Sequence, residues 1–169
     1  MSLSTEDYES FVASLRRMAL IDPGERPPIE ALTGGVSSMI VLARTARGPV
    51  CVKRALAKLK VAAEWHAPIE RSDAEVAWIK VAASIAPDNV PRIVGHDQAG
   101  LTFAMEYLDG AMFPVWKARL RDGHVRVETA RRLARFLAAM HNANANLPDR
   151  AREFANDEAF TALRLDAYF

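Results

Sequence analysis

The order of strand-like and helix-like segments limits this chain to few folds. Apolar residues recur at helical spacing over residues 5–20, and three strand-like segments follow before the next helix, which begins near Arg71. Two further strand-like segments flank a tight turn at 98–100, and the chain after Met112 is helical in pattern. A doubly wound sheet would alternate strand and helix throughout. The sequence therefore predicts an α+β fold, with a five-stranded antiparallel sheet, one packed helix and a helical extension.

Local signals place the ends of these elements. Thr5 is the expected N-cap of the first helix, and Ser72 or Asp73 that of the second. Pro148 and Asp149 are expected to form a turn before the last helical piece.

The central hairpin and the last strand have equally clear boundaries. Strands are predicted at 38–45 and 49–54, because turn residues separate two runs rich in β-branched and apolar side chains. The strand that ends in FAMEYLDG is expected at the far edge of the sheet.

Composition argues against several classes of function. The chain has 22 Lys and Arg and 21 Asp and Glu, a formal net charge of +1, which disfavours nucleic acid or an anionic membrane as partner. The basic run at 131–135 is more simply a solvated helix face. The sequence contains no run of about 18 apolar residues and no charged-then-apolar leader. It therefore predicts neither a membrane span nor a secretory signal. A single cysteine, Cys51, fits a reducing cytoplasm, and the four histidines lack metal-ligand spacing.

One lysine stands in an otherwise apolar strand. In PVCVKR, alternation places Lys53 and Cys51 on the same face of the strand. A lysine on a sheet face is most often a surface residue. Glu75 shifts that balance, because it lies early on the next helix, where its carboxylate can hold the lysine ammonium in one orientation. A lysine held in this way can bind phosphate oxygens, and a structural salt bridge is the alternative.

Two glycines precede the lysine strand. Gly34 and Gly35, followed by Ser37 and Ser38, lie at a turn just upstream. Glycine lets the backbone approach a ligand closely and turn N–H groups toward phosphate oxygens, and the serine hydroxyls add donors. The segment is neither G-x-G-x-x-G nor a P-loop, and a similar turn occurs in ordinary hairpins. It supports phosphate binding only together with the lysine–glutamate pair.

The segment FAMEYLDG has features of a connector between two lobes. Such a connector can offer one backbone carbonyl and, two residues later, one N–H to the edge of an adenine ring. Here these groups are the carbonyl of Glu106 and the amide of Leu108, with Met105 at the back of the pocket. A strand end followed by a β-turn is the alternative interpretation.

The order of these features along the chain resembles that of the protein-kinase-like fold, and specifically of its aminoglycoside phosphotransferase (choline kinase-like) branch. The order is glycine turn, strand lysine, helix glutamate, connector and helices. The matching segments, spread over residues 27–144, are LTGGVSS, VCVKRA, AEVAWIKVAA, FAMEYLDG and RRLARFLAAMHNAN. The resemblance implies a kinase-like N-lobe and hinge over 27–109, after an N-terminal helix and linker over 1–26. Residues 110–169 would begin a larger lobe. It also implies a cytoplasmic phosphotransferase that uses ATP (or GTP) with Mg and acts on a small-molecule hydroxyl.

The catalytic segment of this family has no counterpart in the sequence. That segment reads His-Gly-Asp, with an Asn shortly after and a metal-binding Asp further on. The nearest look-alikes are Gly95-His96-Asp97, in the wrong order, and Asp149 before Asn156, at the wrong spacing. We therefore expect a fragment that is inactive alone, with the catalytic and Mg-binding residues outside it.

The alternative function is a non-catalytic module that binds a nucleotide or a protein partner. The expected ligands of the enzyme are a nucleotide and a small-molecule acceptor, whose identity the sequence does not give. Apolar positions on the last helices, such as Leu133, Leu137 and Met140, are expected to be exposed and would allow a homodimer.

Overall fold

The centre of the molecule is a five-stranded antiparallel sheet. The computed structural model describes residues 3–33 and 35–166. The strands are β1 (Ile29–Ala31), β2 (Ser38–Thr45), β3 (Gly48–Ala55), β4 (Ile93–Asp97) and β5 (Thr102–Glu106). They lie in the order β1-β2-β3-β5-β4. The predicted fold class and the antiparallel sheet are confirmed, and the sheet with its helices is consistent with a kinase-like N-lobe.

The prediction that the strand of FAMEYLDG lies at the edge of the sheet is wrong. β5 pairs with β3 on one side and with β4 on the other, so β4 is the edge strand. The reason is burial. Phe103 and Ala104 of β5 have no exposed surface, and a position between two strands covers them completely.

Helices cover both faces of the sheet and continue beyond it. They are α1 (Thr5–Arg17), α2 (Arg71–Ile85), α3 (Trp116–Arg121), α4 (Val127–Asn144), α5 (Pro148–Glu153) and α6 (Asp157–Phe160). A short 3₁₀ turn at Pro87–Asn89 follows α2, and a π turn at Thr161–Leu165 follows α6. Pro148 therefore opens a helix, a position that suits its fixed φ, and the turn predicted there is wrong.

The predicted helix caps are also wrong. Ser4 caps α1, because its hydroxyl oxygen accepts the N–H of Asp7 at 3.0 Å. α2 has no side-chain cap. The side chains of Ser72 and Asp73 instead contact the β4–β5 hairpin, where they bond the carbonyl of Leu101 and the ring of His96.

α1 packs on one face of the sheet and completes its core. The fully buried residues of this core are Phe11, Val12, Leu15, Val41, Ala43, Val52 and Ala104. The helix residues recur at the spacing that places them on one face. On the same side, the guanidinium of Arg54 lies 4.7 Å from the centroid of the Phe11 ring and pairs with Asp7.

α2 packs on the opposite face of the sheet. Because side chains alternate along β3, Val52 faces α1 and Lys53 faces α2. The later helices contact this second layer. The ring of Trp78 on α2 meets that of Phe154 edge to face, with centroids 5.6 Å apart, and the indole N–H of Trp65 donates to the carbonyl of Ala162 at 2.7 Å.

The last helices expose apolar side chains, as the sequence predicts, with one correction. Leu133 and Leu137 of α4 are 39% and 45% exposed. Met140 is buried at 3%, on a helix that contacts α2, so its predicted exposure is wrong. No helix within residues 3–33 and 35–166 has the length and apolar character needed to span a membrane.

The carboxylate of Asp97 ties α1 to the end of β4. It is buried and accepts two hydrogen bonds from Arg17, at 3.0 and 2.7 Å, and one from the N–H of Gly100 at 3.2 Å. A Cβ on Gly100 would lie 2.2 Å from Oδ2 of Asp97, so a larger residue here would displace the carboxylate from its partners. Burial raises the pKa of Asp97, but the hydrogen bonds, with that from Arg17 foremost, outweigh it and hold the pKa below its ordinary value.

Stability should fall as the pH approaches the folded-state pKa of Asp97. A carboxyl with a lowered folded-state pKa stabilises the fold above its unfolded value of about 4, and that contribution is lost as the pH falls further. Urea unfolding measured from about pH 6 to about pH 3 should show this loss in the wild type. Asp97→Asn should start about 1–3 kcal/mol less stable and lose less over the same range. Parallel pH profiles for the two chains would contradict the assignment.

Candidate functional site

The structure brings Lys53 and Glu75 into contact between sheet and helix. Nζ of Lys53 donates to Oε1 of Glu75, as the sequence predicts. The side chains are 19% and 40% exposed, so the pair lies at the rim of the interface and is open to solvent on one side. Nζ also lies 6.0 Å from the centroid of the Phe103 ring, its cross-strand neighbour, a distance typical of cation–π contact. The ammonium group is therefore held from two directions.

The glycine segment precedes β2, whose first residue, Ser38, is paired with Ala55 of the lysine strand. Gly34 lies outside the described residues. Gly35 has φ of +74°, in the left-handed region that glycine adopts without strain, and it is exposed. Ser37 is half-buried and Ser38 is the buried first residue of β2. Among the residues that the structure describes, the carbonyls of both serines accept side-chain hydrogen bonds, and neither hydroxyl has a hydrogen-bond partner.

Main-chain hydrogen bonds anchor the same segment to the chain that follows β3. The carbonyl of Val36 accepts the N–H of Lys60 at 2.8 Å, and the carbonyl of Ser37 accepts the N–H of Leu56 at 3.0 Å. Nζ of Lys60 donates to the carbonyl of Ser38 at 3.3 Å. These carbonyl oxygens are thus occupied within the protein, which suits a loop that meets an anion.

An apolar wall lies next to Lys53. Met105 is directly opposite Cys51 in the β3–β5 ladder, and strand alternation puts both on the face of Lys53. Cys51 is buried at 7%. Burial raises the pKa of its thiol, and the charge of Lys53 offsets only part of that effect, so the thiol is neutral at physiological pH. The wall is therefore uncharged.

The connector after β5 is fixed at its start and open further along. The N–H of Glu106 donates to the carbonyl of Arg92 at 2.9 Å, and its carboxylate accepts the N–H of Arg92 at 3.0 Å. The amide of Leu108 has no hydrogen-bond partner within the described part of the chain, and the residue is 40% exposed. This amide is where the sequence predicts a donor to a ring edge.

A comparison with family models identifies the family of this chain. A family model described as the phosphotransferase enzyme family (APH) matches residues 28–168. The chain belongs to this phosphotransferase family. The resemblance seen in the sequence is thereby confirmed. A search of curated proteins gave no match to the chain.

The family match includes every predicted site residue of the phosphotransferase but not α1. Lys53, Glu75 and the connector lie within residues 28–168, whereas α1 ends at Arg17. α1, which completes the core on one face of the sheet, therefore precedes the matched region.

The look-alikes of a catalytic segment have structural partners in this phosphotransferase. Nε2 of His96 bonds Oδ1 of Asp73 at 2.8 Å, and Asp97 is paired with Arg17. Within residues 3–33 and 35–166, no group of three His, Cys, Asp or Glu side chains has metal-binding geometry. The described residues therefore form no magnesium site of protein ligands alone.

The sequence did not predict a role for Arg71, which bonds to the main chain of two segments next to the site. The guanidinium of Arg71, at the start of α2, donates to main-chain carbonyls of the glycine segment and of the chain after β3. Every residue carries a carbonyl, so no sequence pattern marks such acceptors. A cleft of about 760 Å³ beside Trp78 and Phe154 contains none of the predicted site residues.

Proposed function

We propose that this phosphotransferase binds ATP or GTP on the face formed by β3 and α2, with Lys53 contacting phosphate oxygens. The observation that carries the proposal is the Lys53–Glu75 ion pair, on a strand whose end at Ala55 is paired with Ser38 of the loop at 35–38. Glu75 fixes the ammonium group, whose remaining N–H donors act on phosphate as a point charge. The Gly35 backbone and the serine hydroxyls supply further donors.

The nucleotide base would lie against the wall next to Lys53. Cys51 and Met105 supply an apolar surface, and the Leu108 amide supplies a donor at its edge. The carbonyl of Glu106 is the proposed acceptor. A pocket with apolar walls and few convergent polar groups is the usual form of such sites.

The proposed reaction is phosphoryl transfer to the hydroxyl of a small molecule. Such transfer requires positioned phosphates, neutralisation of charge and a base that orients the attacking hydroxyl. The described residues supply the first of these. We assign no base and no metal ligand among them, so we expect residues 1–169 alone to hold nucleotide without transferring phosphate.

A non-catalytic nucleotide-binding module is the second candidate. It is favoured by the burial of Asp97 and its pairing with Arg17, which leave the look-alike at 95–97 without a free carboxylate. Transfer of phosphate to a panel of small alcohols by any form of the protein would exclude it, whereas binding without transfer by residues 1–169 is expected of both candidates.

Nucleotide binding should raise the melting temperature of the chain. With Mg·ATP or Mg·GTP at about ten times Kd, linkage predicts an increase of about 3–6 °C. Adenosine should give a smaller shift, because it lacks the phosphates that Lys53 would contact. No shift with either nucleotide at millimolar concentration would contradict the proposal.

A further inference from the structure

One guanidinium group joins three segments of the chain behind the proposed phosphate site. Arg71 donates to the carbonyl of Ser37 at 2.6 Å and to that of Leu56 at 2.8 Å. It also donates to the carbonyls of Ala67, at 3.1 Å, and Pro68. A guanidinium group has five N–H donors in a rigid plane, so a single side chain can serve acceptors from several segments.

Each of these segments carries one part of the site. Ser37 closes the glycine segment and precedes β2. Leu56 directly follows β3, the strand of Lys53. Ala67 and Pro68 lead into α2, the helix of Glu75. The hydrogen bonds of Arg71 therefore fix the distances between the loop, the lysine strand and the glutamate helix.

Charge couples Arg71 to the ion pair as well. Arg71 and Glu75 are four residues apart on α2 and so lie on the same face of the helix. Burial lowers the pKa of the Arg71 guanidinium, and the carboxylates of Glu75 and Glu70 offset part of that effect. An arginine remains charged under these conditions. The carboxylate of Glu75 is thus placed between two cations, Lys53 on the sheet and Arg71 on its own helix.

We propose that Arg71 is a positioning residue that holds the loop at 35–38 in register with the Lys53–Glu75 pair. It acts through these groups and does not contact the nucleotide. Its effect on nucleotide affinity rests on the proposed function, whereas its effect on the loop does not. Lysine cannot replace it, because one ammonium group cannot reach carbonyls of three segments in the geometry of the guanidinium fork.

The test compares Arg71→Lys with Arg44→Lys. Arg44 pairs with Glu30 on the surface, where its side chain is 60% exposed, so the second change keeps the chemistry and leaves the site alone. Without nucleotide, the amides of Leu56 and Lys60, which donate to the carbonyls of Ser37 and Val36, should exchange about tenfold faster in Arg71→Lys, with the core strands unchanged. Affinity for Mg·ATP should fall about tenfold, while affinity for adenosine stays within about twofold.

The outcomes separate the positioning role from the proposed function. Wild-type exchange in Arg71→Lys, or faster exchange spread evenly over the sheet, would overturn the positioning role. If these amides lose protection in Arg71→Lys and the wild type binds no nucleotide, the positioning role is supported and the proposed function is overturned. If Arg71→Lys does not fold, NMR of the wild type is the test. Guanidinium protons of Arg71 that exchange as fast as those of a free arginine would also overturn the positioning role.

Discussion

Replacing Lys53 with alanine should weaken Mg·ATP binding by about 10- to 100-fold, the loss expected for charge-assisted hydrogen bonds to phosphate. The substitution removes the ammonium group that Glu75 and Phe103 hold in place. Isothermal titration calorimetry measures the effect. Adenosine, which has no phosphate, should bind both chains equally. In a form of the protein with measurable phosphotransfer, the same change should lower turnover by orders of magnitude.

Lys58→Ala is the matched control for this prediction. Lys58 pairs with Glu64 on the surface, where the two side chains are 56% and 70% exposed. The substitution removes the same charge from the same chain, so it reports any general electrostatic attraction of nucleotide. Equal losses of affinity in the two variants, or a loss of adenosine binding in Lys53→Ala, would show that Lys53 does not contact phosphate.

Replacing Phe11 with alanine should destabilise the fold by about 3–5 kcal/mol, which is close to the whole stability of many domains. Phe11 is fully buried between α1 and the sheet, and its ring supports the guanidinium of Arg54. Urea denaturation, followed by circular dichroism, measures the change. The consequence is that α1 is an integral part of this domain, although it precedes the residues that match the family.

Phe160→Ala provides the comparison for the core substitution. Phe160 is 57% exposed, so the same loss of a phenyl ring should cost about 1 kcal/mol or less. If Phe11→Ala were as mild as Phe160→Ala, α1 would not be packed as the structure shows.

The sequence was most informative where a pattern repeats along the chain. The strand predicted at 38–45 is β2 with the same ends, because turn residues bound its run of apolar and β-branched side chains on both sides. The Lys53–Glu75 contact could also be predicted, because strand alternation and the position of Glu75 on its helix fix both side chains at one interface. Their role in binding nucleotide stays a prediction.

Features that depend on distant partners could not be predicted. The predicted cap of α2 is wrong because the side chains of Ser72 and Asp73 bond to the β4–β5 hairpin, more than 20 residues further along the chain. The prediction that β5 lies at the edge is wrong because strand order depends on which strands bury the most side-chain surface. A local sequence pattern does not show this. Arg71 was missed because its acceptors are carbonyl groups of four residues that carry no side-chain signature.

The arrangement of the site follows from the two-sided packing of the sheet. α1 takes the face of Val52, which leaves Lys53 to face α2. The same alternation places Cys51 and Met105 beside Lys53, at the end of β5 where the connector begins. A charged donor, an apolar wall and an unpartnered amide at Leu108 therefore lie along one side of the described structure.

Hydrogen exchange with and without Mg·ATP reports both whether nucleotide binds and where it binds. On adding Mg·ATP we expect slower exchange in two separate segments, residues 35–38 and residues 106–108, with the surface around Trp78 and Phe154 unchanged. Protection confined to that surface, or none at saturating Mg·ATP, would contradict the proposed nucleotide site.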